Sequence, residues 1–500
     1  MTNHPISVQT DGVSSKTPRQ SLFSWSFWGL LVTQFTVALN DNIFRWLLVP
    51  IGKARLGVFY GNYDRGAAIA LTVGGLMFLI PFVFFSGYGG YCADRFCKRK
   101  VMMYCKLAEI LIMLLGVLFV WIGDPWLLFV VLFMMGTQSA FYSPAKYASI
   151  PEIVGEKNIP TANGLIGMTT IIAVLGGTLL GNKLYEWTTL PDAEGSRLMS
   201  NAPGQHDLWL SALILVGVAV FGFLTSLLIQ RMPSRTKPVP LTGFQMFPMG
   251  QSLSDLAYLW RHKALLLAAL GSAYYWGLAS LAQTNIDKFV VPEITENQGD
   301  VAMFLGILAV GIAIGSTFVG FIMRGRATLA PITYSCFGMA ACAVCLYFTP
   351  EGTRQLFLTT ETGESAGMAP AAVHALWALV FLGIFAGMFD IPLLAYLQKN
   401  SDGSQRGRII AGSNFLSFSA MTLGVAVFGA VITFLGTRGV WLFAAVTTFL
   451  VALLCTWLVF GRSGRAEVLS AEVEIPAKAE SPVEAESPVE VNDPAEKEAF

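Results

Sequence analysis

The sequence predicts an all-α membrane protein, with twelve transmembrane helices arranged as two halves of six. Three observations predict it. The 500-residue chain is 54% hydrophobic and only 13% charged, where an ordinary soluble domain has about 25% charged residues, and its mean hydropathy is +0.60. Apolar runs of about 20 residues, each long enough to cross a bilayer as a helix, recur about twelve times. Lys and Arg gather in alternate connections between those runs, as they do on the cytoplasmic side of multispanning proteins. Zero net charge leaves no global field to attract nucleic acid.

Taken in order, residues 1–21 form a polar cytoplasmic tail without the apolar stretch of a secretory signal. Spans are expected near 24–50, 66–90, 101–122, 126–147, 161–187 and 207–230, making a first half over 22–230. The turn between the second and third spans runs from Gly90 to Lys100. There Arg95, Lys98, Arg99 and Lys100 outnumber the single acid Asp94, which sets this turn on the cytoplasmic side and orients every other span. A linker over 231–262 with Pro233, Pro238, Pro240 and Pro248 separates the halves. The second half, 263–462, is expected to cross near 263–286, 301–323, 326–349, 371–396, 410–435 and 438–461. Alternate loops carry the cations Arg95 to Lys106, Arg231 to Lys263, Arg324, Arg326, Lys399 to Arg408, and Arg462 with Arg465, while Asp192, Glu194, Glu293, Glu296, Asp300, Glu351, Glu361 and Glu364 fall on the opposite side; Lys53, Arg55 and Arg65 are exceptions to this bias. Both termini are then cytoplasmic. Residues 463–500 repeat Ala-Glu-Ser-Pro-Val-Glu and read as a disordered acidic tail.

The halves share a weak internal likeness. Pro144-Ala145-Lys146 leading to Ala162-Asn163-Gly164 parallels Pro392 and Gln398 leading to Gly412-Ser413-Asn414, and such repeats are typical of carriers whose halves rock about a central site. Ionisable groups inside spans mark that site, because hydrocarbon penalises them. In the first span Gln34, Ala38, Asp41 and Arg45 share a face, Asp41 and Arg45 can pair at i, i+4, and Asn40 and Asn42 widen the polar surface. Lys146 beside Pro144, Gln283 with Asn285, and Asp390 before Pro392 extend the set. Gly176, Gly177 and Gly181, and Gly306, Gly311, Gly315 and Gly320, are expected to let helices pack closely. The seven cysteines are expected to be free thiols, and no metal, cofactor or catalytic constellation is expected.

Gly90-x-x-Ala-Asp94-Arg95-x-x-Lys98-Arg99 resembles the signature turn of the major facilitator superfamily, with Cys97 where that signature usually has Gly. Gln34-Phe35, Ala38 to Asn42, Tyr142 to Tyr147, Ala162 to Leu165, Ile391-Pro392-Leu393, Leu397-Gln398 and Arg406-Gly407-Arg408 together resemble the bacterial lysophospholipid transporters, in ordered blocks over about 25–435. The resemblance implies the major facilitator fold in the bacterial inner membrane. It also implies transfer of a lysophospholipid from the outer to the inner leaflet, with Asp41 and Lys146 as functional residues. Stand-alone members have an Arg in the seventh span where Gln283 stands here, as in the forms fused to an acyltransferase; Asp390 replaces a usually apolar residue. No His-x-x-x-x-Asp pattern surrounds His4, His206, His262 or His374, so the chain is not expected to be an enzyme.

The expected substrate-binding residues are therefore Gln34, Asp41, Asn42, Arg45, Lys146 and Gln283, with Asp41 and Arg45 contacting the amine and phosphate of the headgroup. Gly90, Asp94, Arg95, Lys98, Arg99, Asp390, Arg406 and Arg408 are expected to control the alternation between states. Partners are a lysophospholipid or other amphiphilic small molecule, the bilayer, and a cytoplasmic acyltransferase or ligase. The alternative is a proton-coupled exporter of a drug or small metabolite, using Asp41 or Asp390 as its proton site.

Overall fold

A backbone inside hydrocarbon must satisfy its own hydrogen bonds, and helices do so within one segment. A computed structural model describes residues 20–61, 63–188, 208–231, 247–295, 300–323, 329–350, 356–359 and 365–460. The helices are α1 (Trp25–Tyr60), α2 (Tyr63–Arg95), α3 (Lys98–Ile122), α4 (Pro125–Val154), α5 (Ile159–Thr188), α6 (Leu208–Ser226), α7 (Pro248–Trp260), α8 (Lys263–Glu293), α9 (Val301–Ile322), α10 (Ala330–Tyr347), α11 (Pro370–Lys399) and α12 (Arg406–Phe460). Residues 1–19 and 461–500 of the tails, 232–246 of the linker, and the loop residues Asp192, Glu194, Glu296, Arg324, Arg326, Glu351, Glu361 and Glu364 lie outside the described residues.

Ten helices among the described residues are long and apolar enough to cross a membrane. One of them, α12, has 55 residues, about 80 Å of helix and far more than one crossing needs. Its backbone breaks at Gly436, where φ is 70° and ψ 179°, between the two spans expected from the sequence. α1, which carries Asp41 and Arg45, falls outside the ten but packs among α2, α4, α5 and α6. Counting α12 twice and adding α1 brings the crossings to twelve. Beyond Leu453 the chain forms a separate unit, of which 454–460 are described and helical.

Local chemistry sets the helix ends. The Ser24 hydroxyl accepts from the Phe27 amide at 3.2 Å to start α1, and the Asp124 carboxylate accepts from the Trp126 amide at 2.8 Å ahead of the Pro125 that opens α4. Gly123, at φ 76°, closes α3 in the left-handed conformation that glycine adopts without penalty.

Two elements depart from the sequence expectation. Between α10 and α11, strands β1 (Phe357–Thr359) and β2 (Ser365–Met368) pair antiparallel, so the chain is not purely helical; a connection between spans can close its hydrogen bonds across a hairpin. The linker also ends in a helix, α7, which buries a largely polar edge of Gln251, Ser252, Asp255 and Leu259. The Ser252 hydroxyl meets the Gly87 amide and the Phe84 carbonyl of α2, both at 3.3 Å.

Small residues set the closest helix contacts. A Cβ at Gly177 or Gly181 would strike the α1 carbonyls of Leu39 and Ile43, and one at Gly311, Gly315 or Gly383 would strike carbonyls across the α9–α11 contact. Gly306 departs from this pattern, since nothing lies within 4 Å of its Cβ position. Between the halves, described residues hydrogen-bond near the end that carries the α2–α3 turn. Asn163 pairs with Gln398 at 2.8 Å, Thr161 donates to the Gly320 carbonyl at 2.8 Å, and Asn414 donates to Ser143 at 3.0 Å.

Replacing Gly383 with Val forces a side chain into the Leu308 carbonyl, and overpacking of this kind costs about 1–3 kcal/mol. The melting temperature of the purified protein in detergent should fall for Gly383→Val and stay level or rise slightly for Gly306→Ala, since alanine favours a helix interior over glycine.

Candidate functional site

The polar residues of α1 divide by direction. Gln34 is buried against α5, donating to the Thr169 hydroxyl at 2.9 Å and accepting from Thr170 at 3.1 Å. Asn42 donates to the Ala38 carbonyl at 2.8 Å and packs over Gly177. Both tie α1 together or to α5. Asp41 is only 9% exposed and accepts from the Ser139 hydroxyl of α4 at 3.1 Å, while its other oxygen is buried with no hydrogen-bond partner among the described residues.

The expected ion pair between Asp41 and Arg45 does not form, because Ser139 draws the carboxylate toward α4. Arg45 stays solvent-accessible, its guanidinium 3.9 Å from the Cβ position of Gly75 on α2. α1 packs against α2, α4, α5 and α6 of the first half.

Behind Asp41 lies a group the sequence reading missed. Lys106 and Glu109 of α3 form an ion pair at 2.7 Å, with side chains 0% and 2% exposed, and Asn40 donates to Glu109 at 3.0 Å. Lys106, expected among the loop cations, is instead inside the helix and fully buried. Glu109 one turn on neutralises it, and Gly222 of α6 leaves it room, since a Cβ there would stand 2.5 Å from the ammonium. The i, i+3 spacing of opposite charges was the available signal.

A second locus joins the halves. Lys146 is partly buried, its ammonium 4.2 Å from the centroid of the Tyr147 ring. Asp390, also partly buried, accepts from the Ser272 hydroxyl of α8 at 2.7 Å. The Asp390 carboxylate lies within electrostatic range of the phenols of Tyr147 on α4 and Tyr275 on α8. On α8, Gln283 is exposed, while Asn285 is buried and donates to the Thr437 carbonyl at 3.1 Å.

Of the expected gating residues, Gly90, Asp94 and Arg408 meet where the halves touch. Asp94 accepts from the amides of Gly407 at 2.6 Å and Arg408 at 2.8 Å, placing a carboxylate at the N-terminus of α12. Gly90 admits Ala411 and the Gly407 carbonyl. Arg408 pairs with Asp255 of α7 at 2.8 Å and lies 4.7 Å from the Tyr258 ring centroid. Burial pushes the Asp255 carboxyl up to about 7, with Arg408 pulling against the shift. The other cations bond nearer home. Arg95 reaches Tyr91 at 3.0 Å, Lys98 pairs with Glu152 at 2.7 Å, Arg99 donates to the Leu227 carbonyl at 2.8 Å, and Arg406 to the Ser401 carbonyl at 3.3 Å. Among the described residues no His, Cys, Asp and Glu cluster could hold a metal ion.

Comparison with known proteins places these features in context. The sequence model of the Major Facilitator Superfamily matches residues 22–360. The lysophospholipid transporter LplT of Photorhabdus laumondii is 26% identical over 431 residues, covering 83% of this chain and 90% of its own. LplT of Cronobacter sakazakii is 27% identical over 416 residues, with the same coverage. Among solved structures, the outward conformation of the transporter FucP aligns with a TM-score of 0.66 at 16% identity, over 86% of this chain and 98% of that one. The human organic anion transporter MFSD10 aligns with a TM-score of 0.67 at 12% identity, over 86% and 99%.

The buried ion pair makes its own prediction. Lys106→Met alone strands the Glu109 carboxylate, and breaking such a pair costs about 3–5 kcal/mol. Its detergent melting temperature should drop sharply, and adding Glu109→Leu should recover most of the loss.

Proposed function

The chain belongs to the Major Facilitator Superfamily, and on that premise we propose that it carries lysophospholipids from the outer to the inner leaflet of a bacterial cytoplasmic membrane. The observation that carries this reading is the unequal treatment of charge. Lys106 and Glu109 are paired and sealed within the first half. Arg45, Lys146 and Asp390, on α1, α4 and α11, keep access to solvent and have no ionic partner among the described residues. A single-chain lipid needs such a wall for its phosphate, beside an apolar path for its acyl chain. The relatives that cover most of this chain are lysophospholipid transporters, which supports that substrate class.

Arg45 and Lys146 supply positive charge for the phosphate, and Gln283 adds an exposed amide on the second half. Asp41, turned to Ser139, holds α1 against α4 and orients the wall instead of touching the amine directly. With the α2–α3 turn and both termini on the cytoplasmic side, the contacts of Asp94, Asn163 and Thr161 describe a state closed toward the cytoplasm. Transfer then requires those bonds to break while the halves rock about the charged locus. A cytoplasmic acyltransferase or ligase would consume the lipid delivered there.

Proton coupling is a second reading, favoured by the proximity of the Asp41 carboxylate to the Glu109–Lys106 pair. Alkalinisation of the medium on substrate addition would support it.

Leaflet-resolved uptake of labelled lysophosphatidylethanolamine into proteoliposomes tests the main proposal. Wild-type protein should transport, and Arg45→Ala and Lys146→Ala should each lose about 10-fold or more, the loss expected when a charged hydrogen bond is removed. Absence of uptake by the wild type at any imposed gradient would refute the substrate assignment.

A further inference from the structure

Lys146 and Asp390 share a neighbour and are not joined. The ammonium of Lys146 sits over the ring of Tyr147, and the carboxylate of Asp390 acts on the phenol of the same residue from the opposite half. No ion pair connects them, and neither has another ionic partner among the described residues. Lys146 lies eight residues before the end of α4 and Asp390 nine before the end of α11, about 12 and 14 Å along their helices, so the two stand at similar distances from the ends of α4 and α11.

An uncompensated cation and an uncompensated anion in a membrane protein are each costly. One arrangement relieves both at once: a ligand that carries its own negative and positive charges a short distance apart. A phosphoethanolamine group does so, its phosphate and ammonium being separated by two carbons. We propose that Asp390, held by Ser272 and flanked by Tyr147 and Tyr275, is the subsite for the ammonium of a zwitterionic headgroup whose phosphate is taken by Lys146. This rests on the lysolipid reading and adds selectivity to it.

The surroundings fit an ammonium. Ser272 occupies one carboxylate oxygen at 2.7 Å and fixes its direction. Tyr275 stacks on Phe389 with centroids 6.3 Å apart, and aromatic faces of this kind attract cations. Because α4 and α11 belong to different halves, the headgroup bridges them only while they are close. Ligand binding thereby favours the arrangement in which the halves meet at this level.

Uptake of lysophosphatidylethanolamine and of lysophosphatidylglycerol, which has the phosphate without the amine, is to be compared in the same proteoliposomes. Asp390→Asn and Asp390→Leu should lower the ratio of the first lipid to the second by about 10-fold or more. Ser272→Ala should shift it less and in the same direction. Should the leucine variant fail to fold, by gel filtration, the near-isosteric asparagine variant carries the test. Equal losses for both lipids, or an unchanged ratio in an active variant, would overturn the subsite. Failure of the wild type to transport either lipid would overturn the lysolipid reading itself, a separate and recognisable result.

Discussion

A charge inside a bilayer must be neutralised by the protein or reached by water, and the arrangement of this bundle follows from how each charge meets that requirement. Lys106 and Glu109 take the first course. They sit on one face of α3, bonded to each other and to Asn40, with a glycine on α6 making room. Arg45, Lys146 and Asp390 keep some exposure and no ion pair among the described residues, and α4 and α11, which carry the last two, touch across the halves. Through Asn40 the dry pair also ties α3 to α1. The accessible charges mark the path along which a polar group can move.

That path can work only if the halves separate and rejoin. Their contact is built from elements that release without leaving a buried charge stranded. Glycines meet backbone at Gly90 and Gly407, amides pair at Asn163 and Gln398, and a carboxylate caps a helix end at Asp94. α7 adds a tether, since it bonds α2 through Ser252 and α12 through Asp255 and Arg408. Opening this end therefore requires α7 to release one partner or travel with it. The closure is thus coupled to the linker, which does more than join two halves.

Much of the fold was legible because membrane helices must be long and apolar, and charge or glycine has to interrupt them. The division of α12 at Gly436 fell between the expected spans for that reason. What escaped was polar. α7 turns an edge rich in Gln251, Ser252 and Asp255 inward and leaves Leu253 and Trp260 exposed, so the helix-spaced stripe of Leu253, Leu256, Ala257 and Trp260 among the linker prolines did not point to its buried face. Lys106 looked like one more loop cation because it follows four others closely, and only its spacing from Glu109 indicated burial. In the candidate site, the expected pairing of Asp41 with Arg45 is what the structure does not keep. Sequence spacing permits an i, i+4 pair; it cannot show that a serine on α4 lies nearer. Asp390 was legible as a lone acid, while its relation to Lys146 depended on two halves meeting in space.

The claim that holds this account together is that water reaches the unpaired charges between the halves while the lipid-facing helices stay dry. It is tested by single cysteines placed at 45, 146 and 390 in a variant freed of its native cysteines, treated with a membrane-impermeant maleimide in the presence and absence of lysophosphatidylethanolamine. The account predicts labelling at all three positions, protection by the lipid, and no labelling of a cysteine placed at Phe318, which is exposed on the apolar surface of α9. Resistance of positions 45, 146 and 390 to the reagent under every condition, or labelling indifferent to the lipid, would contradict it.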